Sequence, residues 1–167
     1  MANALPHTSE PPVNHPDETR VVLIILVDRR GYILLHHRDG DATAYPNRWG
    51  LVGGVFRADE TPDAAARRKV AEETGLRLPH LLELFTRQIG PPYGAERGRV
   101  ERFVYATATD ARQEEVTSGM GRALTFMAPG AALTLDLIPS VRDVIGAFLA
   151  SSAYERIVAA HPGRADK

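Results

Sequence analysis

The stretch GVFRADETPDAAARRKVAEETGL, residues 54 to 76, carries the pattern that decides the fold. Thr61, Pro62 and Asp63 form a helix start. Threonine caps a helix, proline suits its first position, and aspartate favours the positive end of its dipole. The alanines that follow favour helix, and glycine at position 75 is typical of a residue that ends one. The stretch therefore predicts a helix between Thr61 and Gly75.

Acidic side chains in the same stretch indicate a site for a metal and a phosphorylated ligand. Glu72 and Glu73 are neighbours near the end of the predicted helix, and Glu60 precedes its start. Hard divalent cations such as Mg²⁺ prefer oxygen ligands and often share their coordination shell with phosphates. Spacings of three and four residues put Lys69 on the same helix face as the two adjacent glutamates. The alternative is a solvated helix face, with ion pairs worth only about 0.2–0.5 kcal/mol each.

Eight positions of this stretch resemble the Nudix box, the signature of the Nudix hydrolases. That signature reads glycine, any five residues, glutamate, any seven, arginine, glutamate, aliphatic, any, two glutamates, any, glycine and an aliphatic residue. The matching residues are Gly54, Glu60, Arg68, Val70, Glu72, Glu73, Gly75 and Leu76. The ninth position holds Lys69, where the family has a glutamate that often ligates metal or acts as base. We refer to residues 54 to 76 as the box.

The resemblance implies a fold and a chemistry. The fold is an α/β/α sandwich, with a mixed β-sheet between helices and the box as a loop–helix–loop. The chemistry is hydrolysis of a nucleoside diphosphate linked to another group, in which Mg²⁺ or Mn²⁺ neutralises charge and water attacks phosphorus. By position, Glu72 and Glu73 are the expected metal ligands and Glu60 a third carboxylate. Arg68 is expected to hold Glu60 or Glu72 in an ion pair.

Lys69 leaves open whether the box binds a metal and supports hydrolysis. An ammonium in place of a carboxylate changes the charge of the site by two and removes a ligand, which lowers metal affinity. The ammonium could instead pair with a phosphate and partly replace a cation, or it could point to solvent. The general base stays unassigned, with Glu60, Glu114 and Glu115 as candidates. A second departure falls at Met120, where many family members carry a glutamate before a glycine.

Candidate substrate contacts lie just before the box. Gly53 and Gly54 would let the backbone approach a metal or a phosphate closely. An arginine binds phosphate through two hydrogen bonds, and an aromatic ring stacks on a base. The residues with such side chains are Arg38, Tyr45, Arg48 and Trp49. A structural role competes with ligand binding at each of them, and also at His36 and His37.

Two functions are compatible with these residues. The first is a metal-dependent hydrolase of a nucleoside diphosphate derivative or a similar small diphosphate, with Glu73, Glu72, Arg68 and Lys69 at its catalytic centre. The second is a catalytically degenerate Nudix-fold module that binds a ligand or regulates, or an enzyme of changed reaction type. The matches at Glu72, Glu73 and Arg68 favour the first function. Lys69 and the residue at position 120 favour the second.

The rest of the chain predicts strands on both sides of the box helix. Residues 1–19 are expected to be a flexible tail, residues 20–160 one domain, and residues 161–167 a second tail. Apolar runs predict strands at 21–28, 32–37, 49–52, 81–89, 99–107 and 123–127. The polar segment 110–121 reads as a loop. Apolar residues at helical spacing predict a single C-terminal helix over residues 138–158.

The composition restricts the classes of protein to which this chain can belong. The chain has 167 residues, of which 44% are hydrophobic, as expected for one globular domain. A net charge of -1 argues against a nucleic-acid polymer as partner. The absence of cysteine excludes disulfides and thiolate metal sites. With neither a signal peptide nor a long apolar run, the chain is expected in the cytoplasm, away from membranes. The expected partner is a small phosphorylated substrate, and a homodimer is left open.

Overall fold

The structure is a computed structural model that describes residues 18–78, 83–90, 98–117 and 123–161. Within these residues the chain forms seven strands and four α-helices. The strands are β1 Glu18–Val27, β2 Ile33–His37, β3 Trp49–Gly50, β4 Val52–Val55, β5 Glu83–Gly90, β6 Arg99–Ala108 and β7 Ala123–Met127. The helices are α1 Pro62–Thr74, α2 Pro129–Thr134, α3 Pro139–Leu149 and α4 Ser152–Ala160. None of the described helices is long and apolar enough to cross a membrane.

The strands form one mixed sheet around β1. Its order is β3-β2-β1-β6-β5, with β4 paired to β1 and β7 paired to β2. β1 and β6 run parallel, with Glu18 opposite Arg99 and Val27 opposite Ala108. The remaining strand pairs are antiparallel. The near-continuous apolar run of β1 suits its central place, because a strand covered on both faces needs apolar side chains on both.

Helices cover both faces of the sheet. Ala65, Ala66 and Val70 of α1 pack with Val22 and Ile24 of β1. The side chains of β1 that alternate with these point to the other face. The helical residues packed there are Val141, Val144, Ile145, Phe148, Ile157 and Val158. Full burial of one such aliphatic or aromatic side chain contributes about 1.5–3 kcal/mol. The predicted sandwich with a mixed sheet is confirmed.

The box helix begins and ends where the sequence predicts. The Thr61 hydroxyl accepts a hydrogen bond from the Ala64 N–H at 3.2 Å. At the other end Gly75 adopts the left-handed conformation, with φ of 73°, and its N–H donates to the Ala71 carbonyl at 3.0 Å. Both contacts satisfy backbone or capping groups at helix ends. The helix therefore holds the side chains of its last turn in a defined orientation.

Replacing Gly75 with alanine is expected to lower the free energy of unfolding by about 1–3 kcal/mol, because a non-glycine residue is strained in this conformation. A Cβ at Gly75 would also lie 2.5 Å from the Thr117 hydroxyl oxygen. Gly146 in α3 is the matched control, since a Cβ there meets nothing within 4 Å. Gly146→Ala should stabilise the protein by roughly 0.5–1 kcal/mol. Urea unfolding of both variants measures the two changes, and equal effects would contradict the expectation.

The C-terminal region departs from the single helix predicted over residues 138–158. α3 and α4 take its place, with Ser151 between them. The Ser151 hydroxyl donates to the Phe148 carbonyl at 2.6 Å and accepts from the Tyr154 N–H at 3.4 Å. Serine hydroxyls compete for backbone groups and favour helix caps over helix interiors. The apolar spacing therefore predicted the buried face correctly but the continuity wrongly.

The predicted C-terminal tail is wrong at its first residue, His161, which is buried. Its Nε2 lies 3.1 Å from the Val27 carbonyl oxygen at the end of β1, to which it donates. Its Nδ1 lies 3.6 Å from Asp110 Oδ1. The hydrogen bond from Arg29, with a smaller contribution from His161, lowers the pKa of Asp110. His161 therefore belongs to the fold, because it joins the Thr109 N–H, which donates at 2.8 Å, in binding the Val27 carbonyl at the end of β1.

Smaller differences affect segment boundaries. β1 begins at Glu18, inside the predicted tail. The predicted strand 49–52 divides into β3 and β4, which pair with different strands. The predicted loop 110–121 contains a 3₁₀ turn, Gln113–Glu115. No sequence pattern above predicts α2. Met120 lies outside the described residues, so its suspected departure from the family pattern stays a prediction.

Candidate functional site

Two glycines bring β4 against the last turn of α1. β4 runs antiparallel to β1, with Gly53 opposite Leu23. A Cβ at Gly53 would lie 2.1 Å from the Val22 carbonyl oxygen, so this approach requires glycine. The Gly53 N–H donates to Glu73 Oε2 at 3.4 Å. The carboxylate of Glu73 is therefore directed at the glycine backbone rather than at solvent.

Lys69 joins this contact from one helical turn earlier. Its Nζ lies 2.9 Å from Glu73 Oε1 and 3.8 Å from Glu72 Oε2. The side chains of Lys69 and Glu73 are only 12% and 6% exposed. Of the alternatives open from the sequence, a solvent-directed Lys69 does not occur. Its ammonium is instead part of a buried ion pair.

Arg68 binds the other two glutamates of the box, Glu60 and Glu72. Its Nε and Nη2 donate to the two oxygens of Glu60 at 2.7 and 2.8 Å, and its Nη1 donates to Glu72 Oε2 at 3.1 Å. The sequence left open whether Arg68 pairs with Glu60 or Glu72, and the structure has both pairs. Arg57, which the sequence analysis missed, donates to Glu72 Oε1 at 2.7 Å. Each of the three glutamates of the box is thus contacted by at least one cationic side chain.

The pKa of Glu60 reflects this pairing. The hydrogen bond from Arg68 is the largest cause that lowers the pKa of Glu60 from 4.5 to about 2. Burial opposes the shift, and the hydrogen bond from the Arg57 N–H at 2.9 Å supports it. The same pair raises the pKa of Arg68. Both groups are therefore charged throughout the physiological pH range.

Acid is expected to weaken the protein through Glu60. Its folded pKa of about 2 lies below its ordinary value of 4.5, so the unfolded chain takes up the proton first. The stabilising contribution is complete above an unfolded pKa of roughly 4.5 and is lost as the pH falls toward 2. Urea unfolding from about pH 6 to about pH 3 should show a steeper loss for the native chain than for Glu60→Gln. The exposed Asp143→Asn variant is the control, and parallel losses in all three proteins would contradict this role.

These carboxylates do not fit a divalent cation in this arrangement. No group of three or more His, Asp or Glu side chains in the described part of the chain is placed to hold a metal. The predicted ligands Glu60, Glu72 and Glu73 are paired with arginine or lysine instead. A divalent ion about 4 Å from the Lys69 ammonium would meet roughly 8 kcal/mol of repulsion at an effective dielectric constant near 20. Lys69 would have to leave before a metal could enter.

The other base candidates lie away from this cluster. Glu114 and Glu115 belong to the 3₁₀ turn and are exposed. Glu114 lies 3.6 Å from the guanidinium of Arg112, and Glu115 accepts a hydrogen bond from the backbone N–H of the same arginine at 2.7 Å. These contacts are local to the turn. The structure therefore does not bring either residue to Glu72 or Glu73.

A cleft of about 320 Å³ opens beside the two glycines. We call it the Gly53 cleft, and its polar or glycine lining includes His36, Arg38, Tyr45, Gly53, Gly54 and Arg102. Four predicted substrate contacts, Arg38, Tyr45 and the two glycines, thus share one cleft. Arg48 and Trp49 do not line it. Arg48 lies 3.7 Å from Asp136, and the Trp49 ring packs on His37 with centroids 4.7 Å apart.

Two further residues line the Gly53 cleft. The sequence did not predict a role for Arg102, and for His36 it did not decide between a structural role and ligand binding. Arg102 is buried, lies opposite Val21 in the parallel pair of β1 and β6, and lines the cleft. A charged residue inside an apolar strand was the available signal. His36 also lines the cleft, and its Nε2 is buried without a hydrogen-bond partner in the described structure. Buried polar atoms are usually paired, so this nitrogen marks an incomplete site.

A larger cavity, of about 790 Å³, lies by Arg20, Phe56, Arg57, Glu60, Arg87 and Phe103. The Arg20 guanidinium stacks over the rings of Phe56 and Phe103 at 4.5 and 5.3 Å. Its Nε lies 3.4 Å from Glu101, which also binds Arg87. Arg20 and Arg87 thus share the single carboxylate of Glu101. We regard the smaller Gly53 cleft as the candidate ligand site, because it joins the glycines that contact Glu73 and Lys69.

The chain is similar to known proteins both in sequence and in fold. The sequence model described as the NUDIX domain matches residues 17–145. A curated relative is the nucleoside triphosphatase NudI of Enterobacter sp. (strain 638), which is 34% identical over 59 residues. That alignment covers 35% of this chain and 42% of the relative. The chain thus spans less than half the length of this relative.

Solved structures share the fold at low sequence identity. The MutT protein from Methanosarcina mazei Go1 has a TM-score of 0.65 and 19% identity, over 83% of this chain and 94% of that one. The NUDIX domain of Shewanella oneidensis NrtR, complexed with ADP ribose, has a TM-score of 0.66 and 19% identity, over 89% of this chain and 94% of that one. At such identities the likeness establishes the architecture alone.

Proposed function

This chain belongs to the Nudix family, and from that premise we propose that it binds a nucleoside diphosphate derivative or a similar small diphosphate in the Gly53 cleft. One observation carries this proposal: Arg38, Tyr45, Gly53 and Gly54 border a single cleft. Glycine backbone permits the close approach that a phosphate needs. An arginine and an aromatic ring in the same cleft supply groups for the phosphate and the base.

The loop that carries Arg38 and Tyr45 supports a binding role. Nε of Arg38 donates to the Ala44 carbonyl at 2.8 Å, which orients the guanidinium and holds the loop. Tyr45 and Asn47 adopt positive φ values of 47° and 59°. Such conformations cost about 1–3 kcal/mol each and cluster at ligand sites, where the surroundings hold them. The loop beside the cleft is therefore held by an internal hydrogen bond and carries backbone conformations of the kind found at ligand sites.

The ion pairs of the box favour binding without metal-dependent hydrolysis. Hydrolysis of a diphosphate needs electrostatic relief at the phosphates. In this chain Glu73 is paired with Lys69, and Glu60 with Arg68. The carboxylates expected to hold Mg²⁺ or Mn²⁺ are thus neutralised from within the chain. Among the functions that the sequence allows, the ligand-binding module fits this arrangement best.

The second candidate is the metal-dependent pyrophosphohydrolase that the family resemblance implies, with Mg²⁺ or Mn²⁺ as cofactor. One observation favours it: the side chain of Glu72 is 35% exposed, and of the three glutamates of the box it is the most accessible. The curated relative is a nucleoside triphosphatase. Under this alternative, Lys69 would leave Glu73 when a metal and a phosphorylated substrate arrive together.

One experiment separates the two candidates. Calorimetric titration with ADP-ribose, ADP and ATP in EDTA measures binding, and phosphate-product release with MgCl₂ or MnCl₂ measures hydrolysis. We expect at least one compound to bind in EDTA without being hydrolysed when metal is supplied. Metal-dependent turnover that Glu73→Gln abolishes would instead establish the hydrolase. Failure of all these compounds to bind, with and without metal, would overturn both assignments of the cleft.

Arg38→Gln is expected to weaken binding of such a compound about 10–100-fold, because a hydrogen bond to a charged group contributes about 1.5–3 kcal/mol. The matched control is Arg29→Gln, which removes an exposed guanidinium that pairs with Asp110. The control should bind like the native chain. Calorimetry measures both dissociation constants. An equal affinity in the native chain and in Arg38→Gln would remove Arg38 from the site.

A further inference from the structure

Lys69 fills the space where the box carboxylates meet the glycine backbone. Its Nζ contacts Glu73 at 2.9 Å and lies 3.8 Å from Glu72. A Cβ added at Gly54 would lie 2.8 Å from Lys69 Cε and 3.1 Å from its Nζ. The stem and ammonium of Lys69 therefore pack directly on Gly54. The cation is held in place by this packing as well as by charge.

The charges around Lys69 are balanced. The three glutamates of the box are contacted by three cationic side chains, Arg57, Arg68 and Lys69. The cluster is therefore formally neutral. With glutamate at position 69, as in the family pattern, the same cluster would carry two net negative charges. That is the charge which one divalent cation neutralises.

We propose that the Lys69 ammonium is a built-in cation that takes the place of a divalent metal beside Glu72, Glu73 and Gly54. The box then takes up no Mg²⁺ or Mn²⁺. A diphosphate in the adjoining Gly53 cleft accordingly binds equally well with and without metal. This last consequence rests on the proposed function, whereas the exclusion of metal from the box does not.

Thermal unfolding with and without MnCl₂ tests the exclusion of metal. We expect the Tm of the native chain to be unchanged by Mn²⁺. Lys69→Glu should have a lower Tm without metal, because the cluster then carries two net negative charges that repel one another. It should gain about 5–10 °C when Mn²⁺ reaches roughly 100 times its Kd. The matched variant Lys69→Gln also lacks the ammonium but adds no carboxylate, and it should gain much less.

Two results would overturn the proposal. One is a rise in the Tm of the native chain with Mn²⁺ that equals the rise for Lys69→Glu. The other is a Lys69→Glu protein that folds and does not respond to Mn²⁺. If Lys69→Glu does not fold without metal, its refolding from urea with and without MnCl₂ is measured in place of thermal unfolding. Recovery only with MnCl₂ supports the proposal, and failure in both conditions counts against it.

A separate titration tests whether ligand binding depends on metal, and its failure can be told apart from failure of the proposed function. The Kd of the native chain for the best-binding compound among ADP-ribose, ADP and ATP is measured in EDTA and in MnCl₂. Values that agree within about twofold support the built-in cation, and a tenfold gain with Mn²⁺ counts against it. If none of the compounds binds in either condition, the proposed function fails. The melts of the native chain and Lys69→Glu then still decide whether Lys69 replaces the metal.

Discussion

Lys69→Met is expected to lower the free energy of unfolding by about 3–5 kcal/mol, the usual cost of removing one partner from a buried ion pair. Methionine keeps most of the volume of the stem but leaves the Glu73 carboxylate without its cation. That carboxylate is 6% exposed, and its remaining contact is the Gly53 N–H at 3.4 Å. Urea unfolding monitored by circular dichroism at neutral pH measures the change.

The double variant Lys69→Met with Glu73→Gln is the control for this prediction. It removes both charges, and it should recover most of the lost stability, because a neutral amide is far less costly to bury than an unpaired carboxylate. A loss below about 1 kcal/mol in the single variant would be typical of a solvent-exposed pair. That outcome would show that the Lys69–Glu73 contact is not buried in solution.

Phe148→Ala is expected to cost about 3–5 kcal/mol, because removal of a large buried side chain leaves a cavity in the core. Phe148 is fully buried and belongs to α3. Its ring meets Phe85 of β5 and Tyr154 of α4 edge to face, at centroid distances of 5.3 and 5.5 Å. One ring thus joins the sheet to two helices. Its removal should loosen all three elements.

Leu133→Ala is the control for the core variant. Leu133 is an exposed residue of α2, so its truncation should change stability by no more than about 0.5 kcal/mol. Urea unfolding gives both values from the same kind of experiment. Comparable losses in the two variants would mean that the core is not centred on Phe148. A loss in Phe148→Ala with an unchanged slope of the unfolding transition would mark a change in stability rather than in compactness.

Local signals predicted the box helix well. Its limits follow from Thr61 as a cap and from Gly75 in the left-handed conformation, and both act within one helical turn. The strand at β7 is likewise predicted at its observed limits, and its side chains alternate between buried and partly exposed. Elements whose ends are decided by nearby residues can be located from sequence alone.

Other features depend on contacts between distant parts of the chain. His161 is buried because its side chain contacts the Val27 carbonyl, 134 residues away in the sequence. No local sequence pattern predicts that hydrogen bond. The break between α3 and α4 is decided by the Ser151 hydroxyl. The apolar spacing continues on both sides of Ser151, so it does not predict the break. In both cases a single polar side chain decides a boundary that hydrophobic periodicity cannot detect.

The candidate site was predictable by residue type but not by pairing. The sequence identifies Gly53, Gly54 and the three glutamates of the box through their spacing. It cannot choose among the roles of Lys69, because the choice is made by the packing of its stem on Gly54. Arg57 escaped notice for the same reason, because its partner Glu72 belongs to another element of the fold.

The parallel pairing of β1 with β6 has a consequence during synthesis of the protein. Residues that face each other, such as Glu18 and Arg99, are 81 positions apart in the chain. At about 5–20 residues per second, the ribosome takes roughly 4–16 s to make the second strand after the first. Until then the backbone N–H and C=O groups along one edge of β1 have no strand to pair with. An open strand edge can pair with another chain, so the growing protein is exposed to misassociation for that interval.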